Sequence, residues 1–211
     1  LTQEERKKVL ELAVKVADGK QVVAHVGAIG TGIACDLAAH AKKAGADAIA
    51  SVPPFYHGFQ PGEIKGYYTA IADASDLPVI IYNVPGTTGV GLSLAQFKDI
   101  LSDDRVVAVK YTDVNYYTLD RIKKHTGAFI YSGADECFAY ALMAGADGGI
   151  GTSMNYCTEK FIAIKEAFDK GDIATAQSEQ SKINNCVQAI IETRGLPAMK
   201  YMTTVATGID V

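Results

Sequence analysis

The feature that most limits what this chain can fold into is an alternation. Short β-rich runs follow segments of helical period along most of its length, the pattern of βα units around a parallel sheet. Thr2, with Glu5 three residues on, predicts a capping box opening an amphipathic helix through Val9, Leu10, Ala13, Val14 and Val16 that stops before Gly19. Strands are expected over about 22–26, 48–52, 79–83, 106–111, 128–132 and 148–152, with helices between them near 32–44, 63–73, 94–101, 117–125 and 137–143. Pro53-Pro54 ends one strand, since proline cannot continue a central ladder, and the run after Pro78 is apolar enough to be buried on both faces. Beyond Thr152 the strands stop, and helical patterns over about 158–169, 172–192 and 197–207 close the chain. One repeat is visible: Ala44-Gly45-Ala46-Asp47 and Ala144-Gly145-Ala146-Asp147 each end a helix on an αL glycine and open an apolar strand.

This count gives about six strands, each paired with a helix, where a closed (β/α)8 TIM barrel needs eight. The chain begins on a helix with no strand feeding it and ends at Ile209-Asp210-Val211 without punctuation. The expectation is therefore a segment of a longer barrel lacking about two N-terminal strands. It would form a single domain, with the barrel portion over 1–155 and the last barrel helix and C-terminal helices over 156–211. The alternative is an open, doubly wound sheet of six strands.

The 211 residues are 48% hydrophobic and 21% charged, enough apolar material for one sizeable core and incompatible with disorder. The formal net charge is −4 and there is no basic run, so no nucleic-acid partner is expected. No stretch reaches the roughly 18 apolar residues of a membrane span, and Leu1 to Lys8 is a charged segment without a signal-type apolar run. A soluble, cytoplasmic protein is expected. Cys35, Cys137, Cys157 and Cys186 are far apart and unpaired by any CxxC spacing, which reads as buried thiols in a reducing compartment. His25, His40, His57 and His125 form no ligand motif with them, so no metal is expected.

One residue does not belong where it stands. In Val106-Val107-Ala108-Val109-Lys110-Tyr111-Thr112, a lysine occupies a place where four apolar residues predict a fifth. With a period of two, Lys110 and Thr112 share a face with Val106 and Ala108, the interior face in a barrel, with the lysine head at the C-terminal mouth where barrel enzymes do their chemistry. A lysine desolvated there is a nucleophile able to attack a carbonyl and form a Schiff base; the plain alternative is a strand-end lysine that snorkels to solvent. Val79 to Gly86 is another buried strand ending in a polar pair, Tyr82-Asn83, and its phenol can relay a proton in the same mouth or be a core tyrosine with a satisfied hydroxyl. Gly27 to Gly32 lies between strand and helix like a phosphate-cradling turn, but it matches neither GxGxxG nor a P-loop. Asp135 and Glu136, just after Ser132-Gly133, can grip sugar hydroxyls or simply complement a helix N-terminus.

Together, His25-Val26-Gly27, Pro54-Phe55-Tyr56, Tyr82-Asn83-Val84-Pro85, Val109-Lys110-Tyr111-Thr112, Gly133-Ala134-Asp135-Glu136 and Gly148-Gly149-Ile150-Gly151-Thr152 resemble the N-acetylneuraminate lyase and dihydrodipicolinate synthase superfamily along the whole chain. The resemblance implies a (β/α)8 barrel with C-terminal helices, a homotetramer, and pyruvate held as a Schiff base, with no metal or organic cofactor. It places Lys110 on the imine lysine and Tyr82 on the proton-relaying tyrosine. Thr112, Gly133, Asp135, Glu136 and Thr152 fall on positions facing the sialic acid chain. Synthases of the superfamily typically carry an arginine two positions after the proline of Tyr-Asn-x-Pro; Thr87 stands there, which favours the lyase side. The family's Gly-[Ser/Thr]-Thr-Gly-Glu motif is not in this sequence. The implied activity is reversible cleavage of N-acetylneuraminate to pyruvate and N-acetylmannosamine. The alternatives are a dihydrodipicolinate synthase-like or other pyruvate-dependent aldolase and, from a different class, a non-catalytic barrel that binds a sugar or 2-oxo acid.

Overall fold

A computed structural model of the chain describes residues 1–193 and 195–210. Arg194 and Val211 lie outside the described residues, as do the parts of the segment expected over 156–211 that fall on them. The chain divides into two compact units, residues 1–110 with 124–129, and residues 111–123 with 130–211.

The first unit opens with α1 (Gln3–Val16), and the capping box is present: Thr2 Oγ1 accepts the Glu5 N–H at 3.2 Å and the Glu5 carboxylate accepts the Thr2 N–H at 2.7 Å. There follow β1 (Val23–His25), α2 (Thr31–Ala44), β2 (Ala48–Ser51), α3 (Pro61–Ser75), β3 (Val79–Asn83), α4 (Pro85–Thr88), α5 (Leu94–Ile100) and β4 (Val106–Tyr111). The short α4 was not expected; Pro85 at its first position and Gly89 in the left-handed region at its end explain both its start and its brevity. β1 pairs in parallel with β2 through His25 and Ala50, and β2 with β3 through Ser51 and Ile81. The strand order is β1-β2-β3-β4 without reversal. A doubly wound sheet requires the chain to double back and place a later strand beside the first, so this unit has barrel-type and not doubly wound topology. Leu37, Ala38 and Ala41 of α2, Ile64, Tyr68 and Ile71 of α3, and Phe97 and Ile100 of α5 are buried along with Ile49, Val79 and Ile81 of the strands.

Next along the chain come α6 (Tyr116–Thr126), β5 (Phe129–Ser132), a 3-10 turn (Asp135–Cys137), α7 (Phe138–Met143), β6 (Gly148–Gly149), α8 (Met154–Asp169), α9 (Ile173–Thr193) and α10 (Leu196–Thr207). In the second unit β5 pairs in parallel with β6 through Tyr131 and Gly148. Its core is a cluster of Phe138, Ala139, Leu142, Phe161, Ile164, Ala167, Ala176, Ile183 and Val187 from α7, α8 and α9. Strand β6 is shorter than the expected 148–152 because the backbone after Ile150 bonds to a side chain instead of a ladder: the Ser153 N–H is taken by the Asp135 carboxylate at 2.7 Å. Helix α8 starts at Met154, four residues early, and passes through a non-helical Cys157 (φ −145°, ψ 39°).

The repeated Ala-Gly-Ala-Asp is a structural clamp. Gly45 and Gly145 adopt φ of 91° and 103°, which turns the chain out of the helix and lets Ala46 and Ala146 donate back to Ala41 and Ala141. Each aspartate then pairs with the start of the preceding strand. The Asp47 carboxylate accepts the Val22 N–H at 2.7 Å while its own N–H donates to Val22 O, and Asp147 does the same with Ile130. Four hydrogen bonds thus fix where two parallel strands start, which is why the motif recurs.

Candidate active site

In the first unit, the C-terminal ends of β3 and β4 bring Tyr82 and Lys110 together. Lys110 Nζ lies over the Tyr82 ring, 4.0 Å from its centroid. The contact is a cation–π interaction in a half-buried setting, worth about 0.5–2 kcal/mol. Lys110 is half-buried, while Val106 and Ala108 on its face of the strand are buried. Among the described residues no carboxylate forms an ion pair with it, in contrast to Lys7, Lys65 and Lys123, which are each paired with an aspartate. A lysine without a carboxylate partner has no ion pair to break before its amine can meet a carbonyl.

A third residue joins them that the sequence reading gave no role of its own. The His25 ring stands edge-on to Tyr82, with centroids 5.9 Å apart and an interplanar angle of 85°. It fits there because Gly27 has no side chain: a Cβ at Gly27 would come within 2.9 Å of the imidazole. Burial of the ring, with the positive charges of Arg6 and Lys110 nearby, lowers the His25 pKa to about 4. The imidazole is therefore neutral at physiological pH. Arg6 reaches the same residue by donating to His25 O at 2.8 Å. Position-two spacing from Gly27 in His-Val-Gly was the available signal. Next to Tyr82, the Asn83 side chain is 2% exposed and its Oδ1 has no hydrogen-bond partner. Thr87 is exposed, with its N–H bonded to Val84 O inside α4.

The remaining expected residues belong to the second unit. Thr112 follows β4, and its Oγ1 is buried without a partner. Gly133 donates its N–H to Tyr111 O at 2.9 Å. Asp135 is 9% exposed, and its carboxylate is committed to the backbone: Oδ2 accepts from Ser153 N–H, and Oδ1 lies 1.5 Å from where a Gly151 Cβ would stand. Glu136 and Thr152, by contrast, are exposed. Of the two adjacent acids, one therefore holds the 151–153 turn and the other faces outward. Gln180, which the sequence reading did not single out, bonds from α9 to the Asp135 carbonyl of the 3-10 turn and to the Ala139 N–H. Its signal was present, since it is the polar member of the buried stripe Ala176, Gln180, Ile183, Val187 and Ile190.

The four cysteines are free, as expected, but half-buried where buried thiols were expected; three of them lie in helices and Cys137 in the 3-10 turn. Among the described residues no group of three His, Cys, Asp or Glu side chains is placed to hold a metal ion, and no helix is long and apolar enough to cross a membrane.

Parallel βα units that bring a lysine and a tyrosine together at adjacent strand ends are the arrangement of a barrel lyase, and the comparisons with known proteins give the family. The model of the dihydrodipicolinate synthetase family matches residues 1–211, and the chain belongs to that family. It is 40% identical over 209 residues to an N-acetylneuraminate lyase of Escherichia coli, covering 96% of this chain and 70% of the relative. Among solved structures it is similar to the catalytic lysine mutant of the Ruminococcus gnavus sialic acid aldolase (TM-score 0.95, 30% identity, all of this chain and 71% of that one). It is also similar to the dihydrodipicolinate synthase of Aquifex aeolicus (TM-score 0.89, 30% identity, 95% and 70%). The (β/α)8 barrel is thus the fold class, of which the described residues carry six strands.

Proposed function

We propose that the protein is a Schiff-base aldolase that cleaves N-acetylneuraminate reversibly to pyruvate and N-acetylmannosamine. The observation that carries the reading is Lys110 Nζ over the Tyr82 ring at the strand ends, with no carboxylate paired to the amine. The kinship with an N-acetylneuraminate lyase and a sialic acid aldolase, the latter represented by its catalytic lysine mutant, supports the choice of substrate.

In this mechanism the neutral Lys110 amine adds to the C2 ketone of the open-chain sugar, and water leaves as the imine forms. The protonated imine draws the electron pair of the C3–C4 bond as that bond breaks. Tyr82, assisted by the substrate carboxylate, takes the proton from the C4 hydroxyl, which becomes the aldehyde of N-acetylmannosamine. The resulting enamine is reprotonated at C3, and water hydrolyses the imine to release pyruvate and regenerate Lys110. Thr112, Gly133, Glu136 and Thr152 hold the polyol, Glu136 and Thr152 through exposed groups, while Asp135 serves by fixing the turn that carries Thr152, and orientation supplies much of the barrier reduction. The chemistry needs no metal or organic cofactor. The enzyme is taken to be cytoplasmic and homotetrameric, a single domain with a barrel portion over 1–155 and the last barrel helix and C-terminal helices over 156–211.

The test is reductive trapping. Borohydride with pyruvate is expected to add one pyruvate-derived mass to the peptide containing Lys110. Lys110→Arg should abolish it, because a guanidinium is not deprotonated in proteins. A label on other lysines only, or none, defeats the assignment. A sister aldolase of the family would trap pyruvate equally, so cleavage rates across a panel of 2-oxo acids decide the substrate.

A further inference from the structure

We propose that Gln180 on α9 is a positioning residue for the substrate tail, acting through the Asp135 turn; this deepens the aldolase reading above and rests on it. Gln180 is 1% exposed, and its amide spans 41 and 45 residues of sequence to reach its partners. Its Oε1 accepts the Ala139 N–H at 2.8 Å. Its Nε2 donates to Asp135 O at 3.0 Å and to Asn184 Oδ1 at 2.8 Å. Both donor hydrogens and the acceptor are thereby used, and a buried amide bonded in this way has one orientation.

The chemistry of the partners explains what that orientation fixes. Ala139 is the second residue of α7, so its N–H has no acceptor within its own helix, and Gln180 supplies one from outside. Asp135 O already closes the 3-10 turn by accepting from Phe138 N–H, and Gln180 fills its second lone pair. Asp135 passes the constraint onward, because its carboxylate holds Ser153 N–H and packs against the bare face of Gly151. The two outward groups, Glu136 and Thr152, are each covalently next to a residue of this chain of contacts, Glu136 beside Asp135 and Thr152 between Gly151 and Ser153. One glutamine on a C-terminal helix therefore sets the spacing of two hydroxyl-binding groups that it does not touch.

The experiment compares wild type, Gln180→Met and Gln180→Glu. The first variant is near-isosteric and apolar; the second keeps an acceptor for Ala139 N–H but sets a carboxylate oxygen against the Asp135 carbonyl. Each is measured for pyruvate trapping at Lys110 and for kcat and KM with N-acetylneuraminate. At least one variant is expected to trap pyruvate within twofold of wild type while KM for the sugar rises tenfold or more, with kcat changed much less. A sugar KM within twofold of wild type in a variant that traps normally overturns the proposal. So does loss of trapping in parallel with cleavage in both variants, which puts Gln180 in the general scaffold. Failure of wild type itself to trap pyruvate overturns the aldolase reading instead, so the two failures are told apart.

Discussion

Replacing Gly151 with alanine tests the geometry of the Asp135 turn directly, because the structure fixes what the added methyl meets. Gly151 does not have a positive φ, so backbone conformation is not at stake. The Cβ would stand 1.5 Å from Asp135 Oδ1 and 2.6 Å from its Cγ. Unbonded atoms rest about 3.5 Å apart, so the carboxylate would have to retreat by roughly 2 Å. A retreat of that size breaks the 2.7 Å bond to Ser153 N–H. Overpacking strain costs about 1–3 kcal/mol and a lost hydrogen bond to a charged group about 1.5–3, so about 2.5–6 kcal/mol of destabilisation is expected. Asp135→Ala removes the obstacle, and Gly151→Ala on that background should cost under about 1 kcal/mol, a coupling of roughly 1.5 kcal/mol or more. Urea unfolding of wild type, both single variants and the double variant measures the cycle by linear extrapolation. Additive costs would refute the reasoning, as would a Gly151→Ala protein as stable as wild type.

The chain made its central elements legible because they are defined locally. β3 and β4 run over the residues expected of them, since Pro78 and a polar pair bound the first, and an apolar run broken by one lysine marks the second. The Thr2–Glu5 box and the two Ala-Gly-Ala-Asp segments were equally local signals. What escaped depends on partners distant in sequence. The length of β6 is decided by Asp135, and the role of Gln180 by backbone groups more than forty residues away. Within the candidate site, the lysine and tyrosine were readable as a lysine and a phenol in apolar strands. The edge-on packing of His25 on Tyr82 was not, because it joins two strands and needs Gly27 to make room. The commitment of Asp135 to a backbone N–H was likewise invisible, since two neighbouring acids after a strand look alike until one is found buried.

Three further predictions bear on the site. Tyr82→Phe keeps the ring beneath Lys110 while removing the hydroxyl, so pyruvate trapping should persist while cleavage falls by about 10²–10⁴-fold; equal losses in both assays would place the hydroxyl's role at imine formation and not at the bond-breaking step, and no loss in cleavage would refute the proton relay. His25, with its pKa lowered to about 4 in the folded protein, binds a proton less readily folded than unfolded, so stability should rise as pH increases from about 4 to its ordinary value near 6.5. Part of the residue faces solvent, which screens the gain to about 1 kcal/mol, and His25→Gln should flatten that slope in unfolding measured across the window. Glu136→Gln separates the sugar tail from the reacting end of the substrate. The exposed carboxylate can accept from two hydroxyls at once, whereas an amide offers one acceptor and a misdirected donor. Losing a charged hydrogen bond in the transition state costs about 1.5–3 kcal/mol, or about one to two decades in kcat/KM for N-acetylneuraminate, with pyruvate trapping unchanged. Equal losses in both assays would place Glu136 in the scaffold, and no loss in either would mean that the true substrate is too short to reach it.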